Sequence, residues 1–221
     1  VERTYSMPNM SNQSDAERIE KSAERMVDAK RFKAAIDRID LLNDDDPKRV
    51  AHEGRDVGYE LYFSRLLFAK TLELEANASE ALLLAARSQH VCRWKMPRAD
   101  YPMNREGYLK WRSDLKRYHA ATASQVLEEV GYSAEMLDAV EKINLKKGLK
   151  TNRDSQTMED VLCLVFLESQ FADFRLKTSD EKMISILRKT WAKMSERGRE
   201  AALELSLGEE EARLVEAALS E

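Results

Sequence analysis

The sequence predicts an all-α fold, a single globular multi-helix domain, from three observations. Apolar residues recur at helical spacing along most of the chain. Seven glycines and four prolines are few for 221 residues, too few for a turn-rich β fold. No stretch alternates apolar and polar residues in the way a half-buried strand does. At this length one domain can bury a substantial core.

The elements follow in order. A first helix is predicted over residues 16–42, stopped by the Asn43-Asp44-Asp45-Asp46-Pro47 run, where proline biases its neighbour away from helix. A second begins near Val57 and carries Leu61, Tyr62, Leu66, Ala69 and Leu72 inward. A third opens at Ser79, with Asn77 and Ser79 both available as capping oxygens, and ends near Trp94. Pro97 and Pro102 keep the next segment irregular. A fourth covers 105–130 and is closed by Gly131 in the position just past the helix end. Ser133 starts a fifth, which ends at Gly148. A sixth spans 157–176, with Glu159 and Asp160 in its first turn, where the helix dipole favours acids. A seventh spans 179–194. Residues 1–15 read as a disordered leader or expression remnant, 16–207 as the globular domain, and 208–221 as a charged C-terminal helix or frayed tail.

Composition excludes several classes of function. Charged residues make up 34% of the chain, yet the formal net charge is −4. There is no global basic character with which to hold nucleic acid, so any anion site must be local. No apolar run approaches the roughly 20 residues that span a bilayer, and the polar start lacks the apolar core of a secretory signal. Cys92 and Cys163 lack CxxC spacing and sit among apolar residues. Buried, reduced thiols and a cytoplasmic location are the expectation.

The chemistry concentrates between residues 81 and 120. His90 falls four residues after Ala86 and His119 four after Leu115, each on the inward stripe of its helix. Glu60 opens the apolar run of the second helix. Glu168 closes the run Val161–Leu167, and an acid attached to such a run is costly unless paired, protonated or metal-bound. Lys147 falls on the inward stripe of the fifth helix. Together these residues form a candidate interior polar cluster; buried histidines bonded to backbone or carboxylate are the competing reading.

Between the histidines, Arg93, Lys95, Arg98, Arg105, Arg112 and Lys116 stand among Trp94, Tyr101, Tyr108 and Trp111. Guanidinium groups match phosphate or carboxylate bidentately, and aromatic faces offer a stacking surface. A proline-braced loop pinned by Arg–Asp pairs, with Asp100, Glu106 and Asp114 as local acids, explains the same residues.

The stretch SQHVCRWKMPRADYPMNREGYLKWR, the later LKRYHA and the run QTMEDVLCLVFLE resemble the uncharacterised domain-of-unknown-function family 4202, over roughly residues 32–207. A more distant resemblance, in the order of helices and in the helix end Ala85–His90, is to the HD superfamily of metal-dependent phosphohydrolases. That resemblance implies an HD-like bundle and one divalent metal ion held by His90, His119, Glu168 and Glu60. Glu60 stands where the superfamily has its first histidine, and Lys146 or Lys147 stands near a further one. Val91 replaces the superfamily's defining aspartate. The implied activity is metal-dependent hydrolysis of a phosphorylated small molecule or nucleotide, with Arg93, Arg98 and Lys147 on the phosphate. A non-catalytic protein binding an anionic metabolite through Arg93, Trp94, Arg98, Tyr101, Arg105, Trp111, Arg112, Lys146 and Lys147 is the alternative. A helical interaction module with a relic pocket is the third reading.

Overall fold

The computed structural model describes residues 13–52 and 54–220, and it is an all-α domain. Its elements in chain order are α1 (Asp15–Ala23), α2 (Ala29–Asp44), β1 (Arg49–His52), β2 (Arg55–Gly58), α3 (Tyr59–Leu74), α4 (Glu80–Ser88), α5 (Arg105–Glu129), α6 (Ala134–Asn144), α7 (Arg153–Ser169), α8 (Phe171–Arg175), α9 (Asp180–Lys193), α10 (Glu196–Leu203) and α11 (Glu209–Leu219). Two single 3-10 turns, Arg93–Lys95 and Arg98–Asp100, fill the segment between α4 and α5.

The centre of the domain is α3 and α4, packed on each other, with α7 against α3 and α6 against α4. Leu82, Leu83 and Leu84 are consecutive and all fully buried. A helix can bury three successive residues only when neighbours enclose it on most sides. Each such side chain contributes about 1.5–3 kcal/mol relative to exposure. The helices α2, α5, α9, α10 and α11 form the outer shell, each with an apolar stripe inward.

Several boundaries differ from the sequence expectation. The long first helix is two: Asp28 accepts a hydrogen bond from the Arg31 amide at 2.9 Å and so caps α2. Residues 1–12 of the expected leader lie outside the described residues. Ser14 caps α1 in a capping box with Glu17, and Asp15 is buried as its first residue, one residue before the expected helix start. The segment 49–58 is an antiparallel hairpin in which the buried Val50 faces Val57. With four residues per strand, its alternation is too short to stand out. The third helix stops at Ser88 rather than near Trp94, which puts His90 in the turn after it.

Towards the C-terminus, the helix expected over 157–176 starts at Asn152, which caps α7, and breaks at Gln170. The reading also passed over α10. Ser195 caps it by accepting from the Gly198 amide at 3.1 Å. Gly198 lies so close to Asp160 that an added Cβ would sit 2.6 Å from its Cγ. The expected tail is α11, packed on α9 through the buried Leu214 and Ala218. Gly131 takes a left-handed φ of 83° after α5, as its placement just past the helix end predicts.

Candidate functional site

A cavity of about 840 Å³ opens at the surface, and three helical stripes build most of its wall. Tyr108, Trp111, Arg112, Leu115, Lys116 and His119 recur at three- and four-residue steps along α5. That spacing keeps them on one face of the helix. Glu159, Leu162, Cys163 and Phe166 do the same on α7, and Ile186, Lys189, Thr190 and Lys193 on α9. Gln89 and His90, in the turn that ends α4, complete the wall together with Arg93, Tyr59 and Lys146.

The cavity is strongly cationic. Arg93, Arg112, Lys116, Lys146, Lys177, Lys189 and Lys193 line it, against Glu159 and Asp173 among the described residues. Five excess positive charges therefore face one cavity of a chain whose formal net charge is −4. Glu159 pairs with Lys146 and lies 3.8 Å from Lys193. Arg112 contacts the Tyr108 hydroxyl at 3.4 Å, and among the described residues neither Arg112 nor Lys116 has a carboxylate partner. Burial, then the charges of Lys146 and Arg112, hold the Lys116 ammonium below its ordinary pKa.

The two histidines meet. Their ring centroids are 5.7 Å apart, and His90 stacks on Phe63 at 4.7 Å with the planes 7° apart. His119 is buried, and its Nδ1 lies 2.8 Å from the Val91 carbonyl oxygen. A carbonyl only accepts, so Nδ1 carries the proton and Nε2 keeps its lone pair. That Nε2 is buried and has no hydrogen-bond partner among the described residues. Burial, followed by repulsion from His90, lowers the His119 pKa to about 3. His90 is also held well below its ordinary value, by burial and then by Arg93. Both rings are therefore neutral at physiological pH. Glu60 places an oxygen 3.6 Å from His90 Nδ1 and another 3.9 Å from Arg93 Nε. Burial pushes its carboxyl up to about 7, against the pull of Arg93.

The remaining predicted residues divide. Arg93, Trp111, Arg112 and Lys146 line the cavity, and the Arg93 guanidinium sits 5.1 Å from the Trp111 ring centroid. Trp111 is anchored there by donating its indole N–H to the Met96 carbonyl at 2.9 Å. Glu168 is not with the histidines. It pairs with Lys70 at 2.8 Å on the far side of its helix, which is how a carboxylate beside an apolar run is satisfied. Lys147 points outward to Glu141 at 3.2 Å, because α6 ends at Asn144 and the turn after it carries Lys146 inward instead.

The loop residues mostly brace the loop itself. Arg98 donates to the carbonyls of Tyr101, Pro102 and Asn104. Tyr101 bonds Asp114 through its hydroxyl at 3.3 Å. Trp94 packs against a small buried cluster of Ile39, Val91, Cys92 and Val126, and Arg105 is exposed at the start of α5. The sequence reading did not assign Glu159, Lys189 or Lys193 to a site. Their signal was a polar residue on an otherwise inward stripe, the same signal that exposed His119. Both cysteines are buried and free, and burial pushes the Cys163 thiol up to about 12, which leaves it a poor nucleophile.

Among the described residues no group of three or more His, Cys, Asp or Glu is placed to hold a metal ion. Nor is any helix among them long and apolar enough to cross a membrane. A family profile described as Domain of unknown function (DUF4202) matches residues 33–215. The chain belongs to that family. No curated protein and no solved structure matches it.

Proposed function

We propose that this protein binds a phosphorylated small molecule in the cavity between α5, α7 and α9. The excess of positive charge around that cavity carries the reading. Like charges gathered at a half-enclosed site repel one another and lose hydration, a cost that a bound anion removes. Arg112 and Lys116, which have no carboxylate partner among the described residues, are the groups best placed to hold the phosphate, with Arg93 and Lys146 behind them. Tyr108, Trp111 and Phe166 supply apolar and aromatic surface for the rest of the ligand.

Metal-assisted hydrolysis, which the resemblance to the HD superfamily implies, has less support. Glu168 is held by Lys70, and His119 offers one free nitrogen. Beside the histidine pair stand Glu60, whose charged form burial disfavours, and the cations Arg93, Arg112 and Lys146, which repel a metal ion. These residues do not fit a divalent ion.

The test uses inorganic phosphate as the probe. A ligand that binds only the native state at one hundred times its Kd stabilises it by about 2.7 kcal/mol. For a chain of this size that raises the melting temperature by roughly 5–10 °C. Millimolar phosphate is expected to produce such a rise over sodium chloride of equal ionic strength. The double variant Arg112→Gln/Lys116→Gln, on exposed and half-buried positions, should fold and lose the rise. No phosphate-specific rise in the wild type would remove the proposal.

A further inference from the structure

We propose that the ligand is a hydroxylated phosphate ester, of the sugar-phosphate kind, whose hydroxyl groups enter the cavity floor and donate hydrogen bonds to His119 Nε2 and Gln89 Oε1. This rests on the phosphate-binding reading and adds to it what the rest of the ligand must be.

The floor and the rim make opposite demands. At the rim the guanidinium and ammonium groups are donors, and they match the acceptor oxygens of a phosphate. At the floor the free atoms are acceptors. His119 Nε2 carries a lone pair because Nδ1 donates to the Val91 carbonyl, and it is buried without a partner. The Gln89 side-chain oxygen is likewise buried and unpartnered, and both residues line the cavity. The two side chains are 2% and 3% exposed, so bulk solvent does not reach them freely. Buried polar atoms of native proteins are nearly always satisfied, and here two that have no partner among the described residues belong to side chains that line the same cavity.

The oxygens of a phosphate-ester dianion only accept, so the group that satisfies these acceptors is a different part of the ligand and must carry N–H or O–H. An ammonium group is disfavoured by Arg93, Arg112 and Lys146 nearby, which outnumber the nearby Glu60, whose charged form burial disfavours. A neutral donor remains, and a hydroxyl is the smallest. The cavity, at about 840 Å³, holds far more than a phosphate ion. It has room for a ligand that spans from cationic rim to accepting floor. The arrangement also discriminates: a site built to accept from a substrate hydroxyl rejects the analogue that lacks it, because its own buried acceptor is then left unpaired.

The experiment compares three esters of matched charge by calorimetry on the intact protein: methyl phosphate, glycerol 3-phosphate and ribose 5-phosphate. The expected result is that at least one hydroxylated ester binds ten-fold or more tightly than methyl phosphate. In His119→Met, which lacks the acceptor, that ratio should fall towards one. Gln89→Met provides the same test should the loss of the Val91 contact unfold the first variant. Equal binding of all three esters by the wild type overturns the inference while leaving phosphate binding intact, as does a ratio unchanged in a folded variant. Failure of inorganic phosphate and of every ester to bind overturns both readings together.

Discussion

Arg87 offers the most quantitative test of how the domain is assembled around the site. Its side chain is fully buried, three residues before His90. It makes four short contacts: two to Asp15 at 2.8 and 2.7 Å and two to Asp40, both at 2.6 Å. Through them α4 is tied to both α1 and α2. Replacing Arg87 by Met keeps the volume and leaves two carboxylates facing each other. Asp15 retains Arg65 at 3.2 Å; Asp40 retains no cation among the described residues, although its side chain is 18% exposed and keeps some water. Removing one partner of a buried ion pair costs about 3–5 kcal/mol. That corresponds to a fall in melting temperature of roughly 6–20 °C for a chain of this size.

The cost arises from uncompensated charge rather than from lost attraction, and two controls separate these. In the double variant Asp40→Asn/Arg87→Met the remaining carboxylate, Asp15, keeps Arg65 at 3.2 Å, so most of the loss should be recovered. Acid provides the second control. Burial alone would raise the Asp15 pKa, but the Arg87 hydrogen bonds and charge outweigh it and hold it below its ordinary 3.8. A depressed carboxylate contributes stability above its unfolded pKa and loses it as pH falls through the folded one. The wild type therefore loses this contribution in acid, while the stranded carboxylates of Arg87→Met become protonated. The gap between the two should narrow steadily below pH 5 in urea titrations followed by circular dichroism. A variant within 1 kcal/mol of the wild type at pH 7, with a parallel pH profile, would refute the reasoning.

Three further outcomes follow from the site. Glu60 has a pKa raised from 4.5 to about 7 by burial, so its contribution to stability is complete below pH 4.5 and is lost as pH rises through 7. Glu60→Gln does not titrate, and its stability relative to the wild type should improve by up to about 3 kcal/mol between pH 4 and pH 8; a flat difference would contradict the raised pKa. Val91 is fully buried among Ile39, Cys92 and Val126. Val91→Asp should destabilise the fold by about 3 kcal/mol or more and bind no zinc or manganese in equilibrium dialysis, whereas gain of a divalent ion would revive the HD-like reading. Lys146 has a left-handed φ of 56°, which costs an L-residue roughly 1–2 kcal/mol. Lys146→Gly placed on a Glu159→Gln background should therefore raise stability by about 1 kcal/mol while lowering phosphate affinity; a loss of stability there would show that the backbone is unstrained.

The fold class was legible because long amphipathic stripes and scarce glycine report on helices directly. Boundaries were less so. The α1–α2 break depends on Asp28 folding back onto the Arg31 amide, a local choice that a continuous apolar pattern conceals. Of the site, the cationic residues of α5 and the convergence of His90 with His119 could be read from spacing. Glu168 could not be placed, because its partner Lys70 lies on another helix and no pattern within either helix records the pairing. Lys147 and Lys146 exchanged roles for a similar reason: the helix ends at Asn144, and past that point helical periodicity no longer tells which lysine faces inward. Lys189 and Lys193 were hidden because a lysine on an inward stripe looks the same whether it borders a cavity or snorkels past a core.

Two departures from local preference bear on where function lies. Among the described residues only Cys92 and Lys146 combine a side chain with a left-handed backbone; Gly54, Gly131 and Gly148 take the other such positions. Cys92 directs the chain from the buried Val91, whose carbonyl fixes the His119 tautomer, into the turn that presents Arg93. Lys146 directs an ammonium group into the cavity where glycine would close the helix more cheaply. Neither conformation is needed to fill the core: the Cys92 thiol is small, and the Lys146 side chain reaches a carboxylate rather than an apolar surface. Strain of this kind persists where surrounding structure enforces it, and it gathers at binding sites. Lys146 lines the cavity, and Cys92, in the buried cluster beside it, directly precedes Arg93, which lines the same cavity, so the strained backbone lies next to the cationic residues.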